Sequence, residues 1–255
     1  MVPMLEFDRI TMRYTTRARR QIVALEAFSA VVHRDEFVAI VGPSGCGKST
    51  LLKIAARVIE GTEGEVRLEG QPLRRPTSRI GMVFQQPILL PWRTVLDNVL
   101  FPIDMMGRSV RDSEAVARSL LELVGLAGFD GAMPGELSGG MQQRVAICRA
   151  LVYDPSVLLM DEPFAALDAL TREELGMELL RIWNERRKTI LFVTHSIPEA
   201  ILLADRVFVM TARPGRIAAC IPIELPRPRD LDMVSTHEYA RYAEEIRNLI
   251  ASRPH

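Results

Sequence analysis

Short apolar runs alternate with segments of helical periodicity along most of the 255-residue chain. The apolar runs have the length of strands and are rich in Val, Ile, Leu and Phe; they cover residues 37–41, 80–84, 157–160, 189–194 and 206–210. A glycine-rich turn and a helical pattern over residues 48–56 follow the first run. This alternation predicts an α/β fold, in which helices cover both faces of a mostly parallel sheet.

The pattern changes between residues 92 and 154. Residues 111–124 and 140–153 place Val, Ala, Leu and Ile at helical spacing and carry few strand signals. We interpret this part as a helical subdomain inserted into the α/β core. The predicted boundaries are 1–90 and 155–225 for the core and 91–154 for the insertion.

Residues 226–255 are predicted to form a C-terminal helical tail. Pro226 and Pro228 end the preceding pattern, and residues 237–252 place Tyr239, Tyr242, Ile246 and Leu249 at helical intervals. Such a tail packs on its own core, joins a dimer or regulates the protein, and packing is the simplest of the three.

Composition narrows the function classes. The chain carries 32 basic and 32 acidic residues, so its charge indicates neither nucleic acid nor anionic lipid as the main partner. None of the apolar runs approaches the length of a membrane-spanning helix. Cys46, Cys148 and Cys220 are too scattered for a disulfide framework, and residues 1–10 lack a signal-peptide pattern. We therefore expect a cytoplasmic protein with reduced thiols, whose membrane role would depend on a partner.

The strongest motif is a phosphate-binding loop, which reads Gly42-Pro43-Ser44-Gly45-Cys46-Gly47-Lys48-Ser49-Thr50. Its glycines let backbone N–H groups approach an anionic phosphate closely. Lys48 would neutralise the terminal phosphates, Ser49 would offer its hydroxyl to Mg²⁺, and the following helix would turn its positive end toward the same charge. Cys46 is interpreted as a small residue that fits the loop rather than as a redox switch.

A second motif is the acidic end of the strand at residues 157–160. Asp161 and Glu162 follow it directly, and strand ends at the carboxyl edge of a parallel sheet share one crevice with a phosphate loop. Asp161 would then hold Mg²⁺, and Glu162 would act as the base for an attacking water. The alternative is that the pair only caps a helix.

Two further polar residues follow strands. His195 comes after residues 189–194 and Gln85 after residues 80–84. His195 would contact the γ-phosphate or the attacking water, and Gln85 would contact Mg²⁺ and water. Each has a plain alternative, a structural histidine and a polar loop residue.

The stretch Leu137-Ser138-Gly139-Gly140-Met141-Gln142-Gln143-Arg144 resembles the signature motif of ABC transporter ATPases. Ser138, Gly139 and Gly140 open a helix, and a helix N-terminus binds anions. The resemblance implies a head-to-tail homodimer, with each ATP held between the phosphate loop of one subunit and the signature residues of the other.

The resemblance covers residues 5–223. It matches Tyr14 to the adenine-stacking aromatic, Gln85 to the Q-loop, residues 166–168 to the D-loop and His195 to the switch histidine. It implies that Glu162 is the general base and that His195 senses the γ-phosphate. The implied fold is that of a P-loop NTPase (RecA-like), with a mostly parallel sheet, an inserted helical subdomain and a small antiparallel β part near the N-terminus.

Several stretches resemble the nitrate/sulfonate/taurine importer group within these ATPases. They are residues 83–87, 89–95, 138–145 and 213–217. Met141 is familiar in this group. Asp35 stands where a turn glycine is common, which leaves the local turn in question, and Ser196 replaces a frequent aspartate.

The resemblance implies an ATP-hydrolysing subunit of an importer, bound to the cytoplasmic face of the plasma membrane. Its expected partners are a transmembrane permease and, indirectly, an extracytoplasmic solute-binding protein; nucleic acid is not expected. The groove around residues 85–92 is the expected docking place of the permease, although Leu89, Leu90 and Trp92 fit a core equally well. The alternatives are a soluble ABC ATPase acting on ribosomes or DNA and a small-molecule kinase. The transported solute stays open between nitrate-, sulfonate- or taurine-like and pyrimidine-type molecules, because the group also serves pyrimidine-type substrates and because in this architecture the solute never touches the ATPase subunit.

Overall fold

The computed structural model describes residues 2–15, 19–165 and 167–251. The chain forms two compact units, of which the first comprises Met1–Thr77 and Lys188–His255 and the second Ser78–Arg187. The second unit extends beyond the predicted insertion at both ends, because it also takes in the strands at 80–83 and 157–161 and a long helix after them. The division by function into core, insertion and tail stays a prediction.

Of the ten strands that the described residues form, eight lie in the first unit. In chain order its elements are β1 (Leu5–Thr15), β2 (Gln21–Val32), β3 (Phe37–Val41), α1 (Lys48–Ala55), β4 (Glu63–Leu68) and β5 (Gln71–Pro72). Four of these strands form an antiparallel sheet in the order β2-β1-β4-β5. This sheet is the small antiparallel part near the N-terminus.

Over residues 78–165 and 167–187, the second unit combines two strands with four α-helices. Its elements are β6 (Ile80–Val83), α2 (Val95–Met105), α3 (Val110–Leu123), α4 (Gly139–Leu151), β7 (Val157–Asp161) and α5 (Ala169–Arg186). β6 and β7 are parallel neighbours, with Val83 opposite Met160. The helices start at side-chain caps, since Thr94, Ser109, Ser138 and Asp168 accept backbone N–H groups of α2 to α5.

The chain then returns to the first unit. The elements there are β8 (Thr189–Val193), α6 (Ile197–Leu203), β9 (Arg206–Met210), β10 (Ile217–Pro222) and α7 (His237–Ala251). Among the described residues no helix has both the length and the apolar character that crossing a bilayer requires.

The central strand β3 lies between β8 and β9 and runs parallel to both. All five residues of β3 and all five of β8 are buried, as expected of strands covered on both faces. Ile40 is opposite Val193, and the Thr194 N–H donates to the Ile40 carbonyl at 3.1 Å. The register therefore brings the residues after Val41 and those after Thr194 to the same edge.

Asp35 adopts the turn for which glycine is common. Its φ is +60°, and its N–H donates to the Thr189 hydroxyl at 2.9 Å. Aspartate is one of the few residues with a side chain that adopts this conformation readily. The departure from the family pattern therefore leaves the turn intact.

The tail helix α7 packs on α6 and β9 within the first unit. Of the four apolar residues at helical spacing, Tyr239, Tyr242 and Ile246 are buried and Leu249 is half-buried; Ser252 lies outside the described residues. Ahead of α7, the buried Arg229 guanidinium donates to five carbonyls, those of Ile201, Leu202, Ala204, Ile223 and Leu225, at 2.6 to 3.3 Å. Arg229 thus closes the C-terminal end of α6, where carbonyls lack helical partners.

We expect the variant Arg229→Met to lower the free energy of unfolding by about 3 kcal/mol, because buried carbonyls lose a charged donor. Urea denaturation followed by circular dichroism measures the change. Arg247→Met is the matched control, since Arg247 is exposed on α7. Equal unfolding midpoints for the two variants would show that the Arg229 contacts do not stabilise the fold.

Candidate functional site

The phosphate loop connects the end of β3 to the start of α1, the strand–loop–helix context that the motif requires. Gly47 caps α1 with a φ of +103°, and a Cβ there would lie 2.7 Å from the Leu25 side chain. Only glycine combines this conformation with this close approach. The N-terminus of α1 is therefore held directly behind the loop.

Lys48 is buried within the loop. It is 6% exposed, and its Nζ donates to the carbonyls of Gly42 at 2.8 Å and Pro43 at 3.1 Å. A buried ammonium held by carbonyl dipoles, with the Cys46 Sγ a further contact at 3.9 Å, is well placed to exchange these partners for a phosphate, which carries full negative charge.

Cys46 is buried in the same loop. Burial raises the pKa of its thiol, and nearby Lys48 opposes that shift only in part. The thiol therefore stays protonated near neutral pH, in which state it is a poor nucleophile. This agrees with the interpretation of Cys46 as a residue chosen for fit.

Tyr14 lies at the end of β1 beside the loop helix. Its hydroxyl is 3.3 Å from the Thr50 hydroxyl, and its side chain is 41% exposed. Ser49 and Thr50 are half-buried at the start of α1. An exposed aromatic face next to a phosphate loop is suitable for stacking on a base, and that role stays a prediction.

His195 leaves β8 at the edge where the phosphate loop leaves β3, and it is exposed there. Hydrogen bonds connect the residues around it. The Thr194 hydroxyl donates to the Glu199 carboxylate at 2.6 Å and accepts from the Ser196 N–H at 2.9 Å. Ser196 also caps α6 by accepting the Glu199 N–H. Serine therefore supplies the cap at the position where aspartate is frequent.

Gln85, Asp161 and Glu162 meet at one edge of the second unit. β6 and β7 are parallel and in register, so the residues that follow Val83 and Met160 emerge side by side. Asp161 is 7% exposed, whereas Gln85 is exposed. These are oxygen donors of the kind that Mg²⁺ prefers.

Glu162 has a φ of +45°, which is unusual for a residue with a side chain. Backbone strain of this kind is concentrated at functional sites. Ala166, the first residue of the stretch matched to the D-loop, lies outside the described residues. Asp168, the last of that stretch, caps α5; the Thr171 N–H, followed by the Thr171 hydroxyl, lowers the pKa of this carboxyl.

The signature residues form the start of α4. The Ser138 hydroxyl accepts the Met141 N–H at 3.3 Å, and Ser138 and Gly139 are exposed. A Cβ on Gly139 would meet nothing within 4 Å among the described residues, whereas one on Gly140 would meet Thr171 at 2.8 Å. The N-terminus of this 13-residue helix is thus open to an anion on its Gly139 side.

The sequence interpretation missed Arg149, which lies on the same helix. Its guanidinium donates to the carbonyls of Pro87 at 2.6 Å and Ile88 at 2.8 Å, where Ile88 has a φ of +44°. The segment after Gln85 is therefore fixed by the signature helix. No local pattern signals a contact between residues that are 61 and 62 positions apart.

A parallel sheet that carries a glycine-rich loop between a strand and a helix defines a P-loop nucleotide-binding protein. The family model described as ABC transporter matches residues 25–165, more than half of the chain. The chain belongs to the ABC transporter family.

Relatives with assigned roles support this family membership. The chain is 43% identical over 226 residues to an aliphatic sulfonates import ATP-binding protein of Bacillus cereus, covering 89% of both chains. It is 42% identical over 254 residues to a taurine import ATP-binding protein of Rhizobium johnstonii, covering 98% of this chain and 97% of that protein.

A solved structure shows the same fold. It is the dimeric post-hydrolysis state of an ATP-binding cassette bound to ADP and Pi, with a TM-score of 0.76 and 32% identity over 88% of this chain and 100% of that one. The predicted P-loop NTPase fold and the resemblance to the sulfonate/taurine group are confirmed. The protein is an ATP-binding, ATP-hydrolysing subunit of this family.

Proposed function

We propose that this protein supplies the energy for import of a small sulfonate- or taurine-like solute through a separate permease, at the cytoplasmic face of the membrane. The observation that carries the proposal is full-length similarity to the taurine import protein together with an intact phosphate loop, acidic strand end and signature helix. The relatives favour this function over a soluble ATPase acting on ribosomes or DNA, and over a small-molecule kinase. Nitrate and pyrimidine-type solutes stay alternatives to the sulfonates.

The resemblance gives each of these residues a role of its own. Lys48 and the loop N–H groups would bind the phosphates of ATP, Glu162 would accept the proton of the attacking water, and His195 would contact the γ-phosphate. The resemblance assigns Mg²⁺ to Ser49, Gln85 and Asp161, and the hydroxyl, amide and carboxylate of these residues are each a hard oxygen donor of the kind that fits this ion. When bound, this ion neutralises charge on the phosphates.

We further propose that two copies of the chain hold ATP between them. Two features of the second unit support this. Ser138 and Gly139 are exposed at an open helix N-terminus, and Leu170, just after Asp168, is 73% exposed. A large apolar side chain in water next to an anion-binding helix end suits a surface that another subunit covers. The similar cassette is itself dimeric.

The proposed permease contact is an apolar groove of about 470 Å³ in the second unit. Its lining includes Phe84, Ile88, Leu90, Phe101, Met105 and Tyr153. Ile88, Met105 and the neighbouring Trp92 are 60%, 69% and 72% exposed, so Trp92 does not belong to a core. We propose that an apolar helix of the permease fills this groove, as amphipathic helices fill grooves elsewhere.

The variants Ile88→Asp and Trp92→Ala test this contact. We expect each to reduce the permease recovered with the tagged protein from its native membrane by about tenfold, because a few large apolar side chains dominate binding; Ile88 lines the groove, and Trp92 is an exposed aromatic two residues after its lining residue Leu90. Folding should be preserved, since Asp adopts the positive φ of residue 88 more readily than Ile.

Phe129→Ala is the control, because Phe129 is an exposed aromatic that neither lines the groove nor belongs to the segment 85–92. Undiminished recovery of the permease with both the Ile88 and the Trp92 variant would refute the docking proposal. Mass spectrometry of the wild-type pull-down and solute uptake by a strain lacking the protein test the function itself. Ribosomes or DNA-binding proteins in the pull-down, together with normal uptake, would favour the soluble alternative.

A further inference from the structure

Arg213 contacts the phosphate loop from a distant part of the first unit. Its Nε and Nη2 donate to the Gly45 carbonyl at 3.2 and 3.0 Å, across 168 residues of sequence. Arg213 begins the Arg-Pro-Gly-Arg-Ile stretch at residues 213–217. None of the roles proposed above involves this stretch. A charged donor on this carbonyl is a stronger partner than water or a neutral group.

Gly215 brings this stretch against the back of the loop. A Cβ on Gly215 would lie 1.9 Å from the Cys46 carbonyl oxygen, so no side chain fits there. The Gly215 N–H donates to the Ala24 carbonyl at 2.9 Å, and the Gly215 carbonyl accepts the Glu26 N–H at 3.1 Å. The stretch is therefore anchored in the fold at the point where it touches the loop.

The geometry of one peptide unit links this contact to phosphate binding. The Gly45 carbonyl and the Cys46 N–H belong to the same trans peptide and point in opposite directions. The Cys46 N–H donates to the Pro43 carbonyl at 3.3 Å, and Lys48 Nζ donates to the same carbonyl at 3.1 Å. The N–H therefore points to the Pro43 carbonyl, which the Lys48 ammonium also contacts, while the Gly45 carbonyl on the other side of the peptide faces Arg213.

We propose that Arg213 is a positioning residue for nucleotide binding, which fixes the Gly45–Cys46 peptide with its N–H directed toward the phosphates. The positive charge of the Arg213 guanidinium, which contacts the Gly45 carbonyl, also polarises this peptide and strengthens the Cys46 N–H as a donor. The proposal rests on the proposed function of the loop as the ATP site. It predicts that Arg213 sets affinity for the nucleotide, with little effect on the hydrolysis step.

Arg216 provides a matched control. It is an exposed arginine of the same stretch, but its guanidinium pairs with Glu26, with Nε at 3.1 Å from the carboxylate, instead of with the loop. Arg213 is exposed as well, so removing either side chain leaves the buried core unchanged. The melting temperature without nucleotide should be the same for both variants.

The test compares wild type with Arg213→Ala, Arg213→Lys and Arg216→Ala. Calorimetric titration with ADP and Mg²⁺ gives the affinity, and steady-state hydrolysis gives KM and kcat for ATP. For Arg213→Ala we expect the Kd for ADP and the KM for ATP to rise about tenfold together, with kcat within about twofold of wild type. Arg213→Lys, which retains the charge but not the planar fork, should recover about half of the loss on a logarithmic scale.

Three outcomes would overturn the proposal. The first is an Arg213→Ala variant that matches Arg216→Ala in ADP affinity. The second is an increase in the KM for ATP without a change for ADP, which would mean that Arg213 contacts the γ-phosphate directly. The third is a lowered melting temperature with unchanged nucleotide affinity, which is the result of a purely structural contact.

The variant Lys48→Met separates this proposal from the function of the loop. If Lys48→Met binds ADP and ATP normally, the loop is not the nucleotide site and the proposed function fails with it. If Lys48→Met loses binding while Arg213→Ala retains it, the loop is the site and only the inference about Arg213 is wrong.

Discussion

Glu162→Gln is expected to reduce kcat for ATP hydrolysis about a thousandfold while leaving the KM for ATP unchanged. Removing a general base costs two to four orders of magnitude, and glutamine has the same shape without a basic oxygen. The shape matters because residue 162 sits at a φ of +45° beside the buried Asp161, and a smaller residue would alter both backbone and packing. Steady-state hydrolysis measures the loss.

The same variant tests the proposed dimer. With hydrolysis blocked, the ATP-bound state should accumulate, and size-exclusion chromatography should show a dimer in ATP and a monomer in ADP. The control is Glu173→Gln, an exposed carboxylate on α5, which should match wild type in both assays. A kcat within tenfold of wild type would remove Glu162 from the role of base.

The sequence predicts well those parts of the molecule that short stretches determine. A run of five apolar residues followed by a glycine-rich turn and a helical pattern places β3, the phosphate loop and α1 where the structure has them. The helical spacing of apolar side chains over residues 140–153 likewise predicts the helix that the structure has at residues 139–151, where Ser138 caps its start. In both cases propensity, capping and burial favour the same conformation.

Contacts between distant segments lie beyond such patterns. Arg213 and Arg149 each hold carbonyls of loops far away in sequence, and nothing local distinguishes them from other surface arginines. The exposure of Trp92 is likewise not predictable from local sequence. A large apolar residue that follows two leucines and a proline fits a core or a docking surface equally well. Only the packing of the whole unit decides between them.

The positive φ of Glu162 illustrates a further limit. Glutamate is not a residue that favours this conformation, so local propensity argues against it. The structure around the strand end imposes it, at an energetic cost that local sequence does not reveal. Places where sequence rules fail in this way are where function is to be sought.

Lys48→Met is expected to weaken binding of ATP by about 30- to 100-fold, because the phosphates lose a charge-assisted partner. Methionine preserves the buried aliphatic stem, so the change removes the ammonium and little packing. In the wild type this ammonium is held by the Gly42 and Pro43 carbonyls until a phosphate replaces them. The loss should appear in affinity before any chemistry takes place.

Thermal unfolding with and without ATP measures this loss. A ligand at a hundred times its Kd stabilises the native state by about 2.7 kcal/mol, so ATP should raise the melting temperature of wild type and leave that of Lys48→Met nearly unchanged. Lys53→Met is the matched control, since Lys53 is exposed on the same helix α1. Equal stabilisation of the Lys48 and Lys53 variants by ATP would mean that the phosphates bind elsewhere. If the phosphates bound at the loop, loss of the Lys48 ammonium would reduce the stabilisation by ATP.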